Sequence, residues 1–359
     1  MYTEDLHVLC KHLVDNGITT TALESTGSYW QPLFVLLQQY NLNPILVNGK
    51  FTKNVKGRKT DVQDCQWIQK LHTVGILEGS FIPDLFTETV RQYYRHRQCL
   101  VESGASYINK MQKALRLINI GLDAVLRDVM GRSGKDIIEA ILTGERNVKV
   151  LASLVQSTVK ASVEEIEAAL SGDWREEYIF ELRHCYQLYR YYHVKIDECD
   201  QEIKKLLTEG LKIKKKKTRK NESNINIQQL ATDLTGGIDI SVIEGIGLGL
   251  ILCMVAETGL ELTAFPTSKQ FTSWLRLAPD LKKTGSKVIS SKTKSGKNRL
   301  SQAFMYCANA IGNKKSGDYL VTFFKRVQRK KGRMIAIVAT ARKLATIVWN
   351  MLVKKMPYN

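Results

Sequence analysis

The sequence lacks several features that would place it in a familiar class of protein. Its seven cysteines are scattered and include no C-x-x-C pair, which argues against a zinc site and fits the reduced thiols of a cytosolic protein. The sequence shows neither a secretory signal peptide nor an apolar run long enough to span a bilayer. We therefore expect a cytoplasmic protein without disulfides or a membrane anchor.

Acidic residues are almost missing from the C-terminal part of the chain. From Leu281 to Asn359 there are 19 Lys and Arg residues and one acid, Asp318, whereas the other 280 residues are neutral overall and the chain carries +18. Such a segment is typical of proteins that bind polyanions, because each neutralised phosphate releases counterions. A merely solvated basic face is the alternative. Membrane binding is less expected, since no clean amphipathic polybasic helix is present.

The N-terminal part of the chain alternates strand and helix patterns. A β-branched run, Ile18–Leu23, predicts a strand that ends at Glu24; Asn43–Asn48 predicts a second strand, and Tyr29–Gln39 between them has helical periodicity. This order is typical of a parallel α/β sheet, in which functional groups gather at the carboxyl ends of strands. Glu24 is therefore a candidate site residue.

Two aspartates stand just inside a predicted helix that follows a basic run. Thr60 and Gln63 have capping-box spacing, and an acid in the first helical turn suits the helix dipole, which accounts for Asp61. Asp64 needs another explanation, because helical spacing places both aspartates on the stripe that continues into the apolar Ile68. A structural and a functional role for the pair stand as equal alternatives.

From about Thr87 the pattern is helical for more than a hundred residues. Nine apolar or aromatic positions within it alternate spacings of four and three, which predicts a coiled coil with another helix of this chain or of a partner. The segment Leu211–Gln229 is basic and then polar; it predicts a linker or a helix end that either touches nucleic acid or is only solvated. The nine positions are Tyr178, Leu182, Cys185, Tyr189, Tyr192, Ile196, Cys199, Ile203 and Leu206.

Two segments near the C-terminus predict phosphate contacts. Ile238–Gly259 contains Gly-Ile-Gly between apolar runs, which predicts two short helices joined by a turn and an open helix N-terminus; this resembles a helix-hairpin-helix element, although Gly-x-Gly also occurs in ordinary turns. Leu281–Arg299 has seven basic residues, several hydroxyls and no acid, so it offers phosphate contacts and candidate nucleophiles. The candidate nucleic-acid contacts are Gly245, Gly247, Lys282, Lys283, Lys287, Lys292, Lys294, Lys297 and Arg299.

Together these segments resemble one family. The motifs "ALESTGSYW", "LVNGKFTKNVKGRKTDVQDCQWIQKL", "IEGIGLGLILCMVAETG" and "SWLRLAPDLKKTGSKVISSKTKSGKNR" stand in the order found in the DEDD insertion-sequence transposases, which are bridge-RNA-guided recombinases. The resemblance covers nearly the whole chain. It implies that Glu24, Asp61 and Asp64 match the second, third and fourth of four carboxylates that hold Mg²⁺ or Mn²⁺. It also implies that Thr284 takes the place of the catalytic serine, with Ser286 as the less favoured alternative.

The family's first carboxylate belongs to an earlier strand, in a motif resembling "GIDVSK" that this sequence lacks. The resemblance thus implies an N-terminally truncated chain whose incomplete RuvC-like (RNase H-like) domain leaves a sheet edge unpaired. The expected fold class is multidomain α/β plus α. Its expected parts are the RuvC-like domain with trailing helices (1–145), coiled-coil helices (146–212), a basic and polar linker (213–236) and a mainly helical transposase domain with the helix-hairpin-helix element (237–359).

The function implied by the resemblance is that of a DNA transposase, or site-specific recombinase, of a bacterial insertion sequence. The implied partners are double-stranded DNA, a structured guide RNA and further copies of the chain, joined through the coiled coil into a dimer or tetramer at the nucleoid. The alternative is a catalytically inactive remnant that binds nucleic acid, favoured by the missing carboxylate and the threonine. A helix-hairpin-helix repair nuclease is a third hypothesis, and it leaves the hydroxyl-rich loop unexplained.

Overall fold

The computed structural model describes residues 2–49, 60–214, 233, 235, 237–259, 261–296, 298–317 and 319–358. The chain divides into two compact units, Met1–Ile82 and Pro83–Asn359. The described residues are mostly helical with a few short strands, which agrees with the expected α/β plus α class. Most of the predicted linker, 213–236, and of Leu211–Gln229 lies outside the described residues.

The first unit contains the predicted alternation of helices and strands. Strand β1 pairs with β2 in parallel, with Glu24 opposite Val47. Beyond β2, the Ser80 N–H donates to the Leu46 carbonyl at 2.6 Å, so the chain continues along the outer side of that strand. The elements of this unit are α1 (Thr3–Asp15), β1 (Thr21–Glu24), α2 (Trp30–Gln39), β2 (Pro44–Val47) and α3 (Asp61–Thr73).

The core of the first unit is small. Cys10 of α1 and Leu37 of α2 pack with Leu42, and each is almost fully buried. Helix α3 is amphipathic and packs against β1. Its last turn is fixed near the start of that strand, where the Thr20 hydroxyl lies 3.2 Å from Nε2 of His72.

The second unit is built on two long helices, α4 (Leu85–Leu117) and α9 (Glu176–Lys214), which pack along each other. Six of the nine predicted seam positions on α9 are buried and the other three are half-buried, so this stripe faces α4 of the same chain. Short helices between them close a large apolar core around Ile137, Ile141 and Leu182. They are α5 (Leu122–Val125), α6 (Arg132–Leu142), α7 (Val148–Ser153) and α8 (Val163–Leu170).

The C-terminal part of the second unit is a layer of helices with one two-stranded ribbon. Of the two short helices predicted on either side of Gly245-Ile246-Gly247, the first is a 3-10 turn, Ile240–Val242, and the second is an α-helix, Leu248–Thr258; the helix-hairpin-helix element itself stays a prediction. The elements are α10 (Leu248–Thr258), α11 (Ser268–Trp274), β3 (Lys282–Thr284), β4 (Lys287–Ser290), α12 (Arg299–Gly312), α13 (Tyr319–Lys331) and α14 (Arg333–Lys354).

Helix α14 is the central helix of this layer. It contacts α11, α12 and α13, and Leu344, Ala345 and Val348 are fully buried. In length and composition it could cross a membrane, contrary to the sequence analysis, but half of its apolar window is buried within the protein. A packed core helix passes the same test of length and composition.

Candidate active site and nucleic-acid interface

Glu24 lies at the carboxyl end of β1, the position expected for a functional group in a parallel sheet. Its Oε1 accepts a hydrogen bond from the Thr26 hydroxyl at 3.2 Å. The side chain occupies the space beside Gly49, just after β2: a Cβ at position 49 would lie 2.3 Å from Oε1. The absence of a side chain at Gly49 therefore makes room for the carboxylate.

Asp61 and Asp64 occupy the first turn of α3. Thr60 is the N-cap, and its hydroxyl accepts from the Gln63 N–H at 3.3 Å, which is half of the predicted capping box. Asp61 is exposed and Asp64 is half-buried, while Ile68 on the same stripe is buried. The side chains along this stripe thus become more buried from Asp61 to Ile68, and Asp64 lies at the boundary between solvent and core.

The direction of α3 brings its first turn towards Glu24. The helix packs on β1, and His72 near its C-terminus contacts Thr20 just before the strand begins. Asp64 precedes His72 by eight helical residues, about 12 Å at 1.5 Å per residue. Glu24 follows Thr20 by four strand residues, about 13 Å at 3.3 Å per residue. The two lengths are therefore similar, so that a helix α3 aligned antiparallel to β1 would have Asp64 at the height of Glu24.

The three predicted carboxylates do not form a closed metal cluster. Throughout the described ranges, no three His, Cys, Asp or Glu side chains lie close enough together to hold a metal ion. The donors nevertheless suit a hard divalent cation in chemical type, since all are carboxylates, and the space left by Gly49 accommodates one of them. Metal binding at this edge would require the first turn of α3 and Glu24 to draw together.

Thr284 stands at the tip of an exposed two-stranded ribbon rather than in the irregular loop that the sequence suggested. Strands β3 and β4 are antiparallel, with Thr284 opposite Lys287. The turn between them is Gly285-Ser286, and Gly285 has φ +57°. Glycine at the first central position of a two-residue hairpin is the mark of a type II′ turn. Both candidate hydroxyls, Thr284 and Ser286, are exposed at this turn.

Arg276 fixes the base of the ribbon, a role that the sequence analysis missed. Its guanidinium donates to the Ser295 carbonyl at 2.6 Å, and a Cβ at Gly296 would lie 1.5 Å from the same Nη1 atom. Nearby, the Asp280 N–H donates to the Lys292 carbonyl at 2.8 Å. In the sequence, Gly296 was the available signal of this contact. The structure shows why glycine is required there: φ is +118°, and a side chain would meet the guanidinium of Arg276.

The predicted phosphate contacts of this segment are all at the surface where the structure describes them. Lys297 lies outside the described residues. The positive charges on and beside the ribbon give its tip a basic and solvent-exposed surface, which suits contact with phosphates. The described and exposed members are Lys282, Lys283, Lys287, Lys292, Lys294 and Arg299.

The two glycines before α10 differ in role. Gly245 has φ +86°, and a Cβ there would lie 2.7 Å from Cγ1 of Ile311, so this glycine permits close packing on α12. Gly247 is the N-cap of α10 and has open space beside it. Its backbone hydrogen-bonds the Cys307 thiol; burial raises the pKa of that thiol, and this bond partly offsets the rise. Of the two glycines, Gly247 is the exposed one, so it is the one that stays a candidate phosphate contact.

Two family models match parts of the chain. The DEDD transposase model of the IS110 type matches residues 2–120, and the model of the IS116/IS110/IS902 transposase family matches residues 239–320. The chain belongs to the IS110 transposases. This IS110 transposase is therefore an enzyme that cuts and rejoins DNA, as the sequence resemblance implied. Its first matched range contains the three carboxylates and its second contains Thr284. No curated protein matches the chain.

Proposed function

We propose that this IS110 transposase moves a bacterial insertion sequence, using Glu24, Asp61 and Asp64 to hold Mg²⁺ or Mn²⁺ and the Thr284 hydroxyl as the nucleophile. The observation that carries the proposal is the position of Thr284 at the exposed tip of a ribbon whose described cations are all solvent-accessible. A hydroxyl presented in this way can reach a phosphodiester on an extended duplex. The surrounding lysines would stabilise negative charge on the phosphoryl group.

The reaction would proceed in two balanced transfers. The Thr284 oxygen attacks the scissile phosphorus, its proton is lost, and the displaced deoxyribose oxygen leaves as a hydroxyl after protonation. A hydroxyl of the second DNA strand then attacks the same phosphorus and releases Thr284. A bound divalent metal would polarise the phosphodiester. The part played by the chain is to hold that metal through carboxylates and to present the nucleophile.

Three further features belong to this proposal. A structured RNA selects the DNA sequences, as the resemblance of the sequence motifs to those of the bridge-RNA-guided recombinases implies. The first unit has the RuvC-like fold, and α4 with α9 forms a coiled coil within the chain; copies of the chain would assemble through faces of this pair other than the stripe buried between the two helices. Assembly suits a reaction that exchanges strands between two duplexes at the bacterial nucleoid.

The test is to trap a protein–DNA adduct. The full chain is incubated with Mg²⁺, labelled DNA spanning the element's end, and transcripts of the noncoding sequence beside the gene, and the products are separated under denaturing conditions. Adducts are expected for the natural chain and Ser286→Ala, none for Thr284→Ala, and at least as many for Thr284→Ser, since serine lacks the methyl that crowds the hydroxyl. Adducts that persist in Thr284→Ala would contradict the assignment of this nucleophile.

The competing function is nucleic-acid binding without catalysis. The observation that favours it is the lack of a closed carboxylate cluster among the described residues. It predicts salt-sensitive binding of DNA or RNA, with no adduct and no strand cleavage at any concentration of Mg²⁺ or Mn²⁺. The same adduct assay therefore decides between the two functions.

A further inference from the structure

A second basic surface lies on α13 and α14, apart from the residues that the proposed reaction uses. The end of α13 and the start of α14 enclose a groove of about 240 Å³. Only Gly332, with φ +85°, separates the two helices, so the chain turns sharply and brings their side chains together. The groove is lined by Arg326, Val327, Lys330, Lys331, Ile335 and Ala339.

The rim of this groove carries three exposed positive charges. Arg326, Lys330 and Lys331 are exposed, and Arg326 and Lys330 are four residues apart on one face of α13. None of the three forms an ion pair within the described part of the chain. Arg326 is held above the ring of Phe323, with 5.6 Å between the guanidinium carbon and the ring centroid. The cations thus remain available to an external anion.

The neighbouring Arg333, unlike the three cations on the rim, forms hydrogen bonds that connect two helices. It donates to the side-chain oxygens of Asn309 and Asn313 at 2.6 and 2.5 Å, which ties the start of α14 to α12. Its hydrogen bonds are used within the protein, in contrast to the three cations on the rim. The rim charges therefore have no comparable role in holding the helices together.

The apolar part of the groove's lining favours DNA over RNA. This part, called the floor, consists of the side chains of Val327, Ile335 (51% exposed) and Ala339, which offer neither donors nor acceptors. The ribose 2′-hydroxyl of RNA would lose hydrogen bonds to water against such a floor, and an unsatisfied hydroxyl is costly to bury. The 2′-methylene of deoxyribose has no such requirement. Cations above an aliphatic floor therefore fit a DNA backbone, with phosphates at the rim and sugars on the floor.

We propose that the α13–α14 groove is a second DNA-binding surface, which holds the sugar–phosphate backbone of a DNA duplex through Arg326, Lys330 and Lys331. It goes beyond the reaction proposed above, because neither the carboxylates nor Thr284 take part. A chain that joins two DNA segments must hold both, and a surface separate from the ribbon provides one such contact.

The test measures equilibrium binding by fluorescence anisotropy in EDTA, so that metal-dependent chemistry cannot contribute. The probes are a 30-base-pair DNA duplex and an RNA hairpin of similar length, each titrated over a series of salt concentrations. The variant of the full chain is Arg326→Ala/Lys330→Ala/Lys331→Ala. The control is Lys149→Ala/Lys160→Ala/Lys204→Ala, which removes the same charge from exposed positions elsewhere in the second unit.

The groove variant should bind the duplex roughly tenfold more weakly than the control, and its salt dependence should fall by about one unit of slope per cation, about three in all. Its thermal midpoint should match that of the control, because all three side chains are exposed. Duplex binding equal to that of the control would overturn the proposal, and so would a loss confined to the RNA hairpin. Adduct formation by the natural chain tests Thr284 separately, so the two proposals can fail independently.

Discussion

Arg95 on α4 forms a bidentate ion pair with Glu257 at the end of α10: its Nε and Nη2 donate to Oε1 and Oε2 of the carboxylate at 3.0 and 2.7 Å. Arg91, one helical turn earlier, donates to the carbonyl oxygens of Ala256 and Glu257 at 3.2 and 2.7 Å. Two cations therefore satisfy the C-terminus of α10, where the helix dipole favours positive charge. The long helix α4 is thereby fixed to α10, whose N-cap is Gly247.

Arg95→Ala should destabilise the second unit strongly. The Glu257 side chain is 8% exposed, so loss of its bidentate partner leaves a buried carboxylate held by Arg91 alone. The expected loss is about 2–3 kcal/mol, less than the roughly 3–5 kcal/mol typical of a fully buried pair, because Arg95 is 37% exposed and Arg91 still lies 3.8 Å from the Glu257 carboxylate. Urea unfolding followed by circular dichroism gives the free energy of unfolding.

Arg97→Ala is the matched control for that change. Arg97 also lies on α4 and pairs with Asp200 of α9, but their side chains are 25% and 42% exposed. Its loss should cost less than about 1 kcal/mol, as is usual for solvent-exposed pairs. Equal losses for Arg95→Ala and Arg97→Ala would show that the Glu257 site is not the stronger link.

The stability of the N-terminus of α4 should depend on pH through Asp84. Its carboxylate accepts from the Thr87 N–H and hydroxyl at 3.0 and 2.9 Å. Burial raises the pKa of Asp84, but these hydrogen bonds outweigh burial and leave the pKa below its ordinary value of 3.8. A lowered pKa in the folded state means that the stabilisation is complete above 3.8 and is lost as the pH falls through the folded-state value.

Asp84→Asn isolates this effect, because asparagine keeps an acceptor at the N-cap but cannot titrate. The difference in unfolding free energy between the natural chain and Asp84→Asn should shrink as the pH falls from about 5 to about 3. Asp84→Ala should cost about 1 kcal/mol at neutral pH through loss of the cap. If the unfolding free energies of the natural chain and of Asp84→Asn change in parallel over this pH range, the charge of Asp84 does not have this role.

Several elements could be predicted because local pattern alone determines them. The β-branched run gives β1 up to Glu24, and the cap at Thr60 fixes the start of α3. The seam of α9 follows from the spacing of its apolar residues, since a stripe of this kind must be buried against another helix. The identity of that helix as α4 was left open, because it depends on tertiary contacts between distant segments.

Other parts of the site could not be predicted for definite physical reasons. The ribbon at Thr284 is exposed on both faces, so it lacks the apolar alternation by which strands are recognised. The base of the ribbon depends on the contact between Arg276 and the distant Gly296. The space beside Gly49 for Glu24 likewise arises only when β1 and β2 are paired.

Gly245→Ala should destabilise the chain, whereas Gly249→Ala should not. Alanine at 245 would combine a φ of +86° with a Cβ only 2.7 Å from Ile311, at an expected cost of about 1–3 kcal/mol. Gly249 lies in α10 with open space around it, so alanine should stabilise the helix by about 0.5–1 kcal/mol. Thermal unfolding of both variants measures the contrast; a neutral Gly245→Ala would mean that this turn is not constrained by α12.

The cysteines should differ sharply in reactivity. Cys65 and Cys99 are exposed, while burial raises the pKa of Cys253 to about 12, which leaves almost no thiolate near neutral pH. Iodoacetamide at about pH 8 should therefore alkylate Cys65 and Cys99 in the native chain and spare Cys253. Peptide mass spectrometry reads each site, and denatured protein gives the control for full labelling. Rapid native labelling of Cys253 would contradict its burial on the face of α10 that packs on α4.

Gly49→Ala offers a direct test of the carboxylate site without changing any proposed ligand. The new Cβ would meet Oε1 of Glu24 at 2.3 Å, and since that oxygen ends a flexible side chain, the carboxylate should move while the fold remains. Changes to residues that position a metal ligand typically weaken metal binding by about 10–100-fold. Electron paramagnetic resonance measures the affinity of the protein for Mn²⁺. This affinity should fall in Gly49→Ala, be lost in Glu24→Gln and equal that of the natural chain in Gly249→Ala. Natural Mn²⁺ affinity in both Gly49→Ala and Glu24→Gln would place the metal away from the end of β1, and the adduct chemistry would then need other ligands.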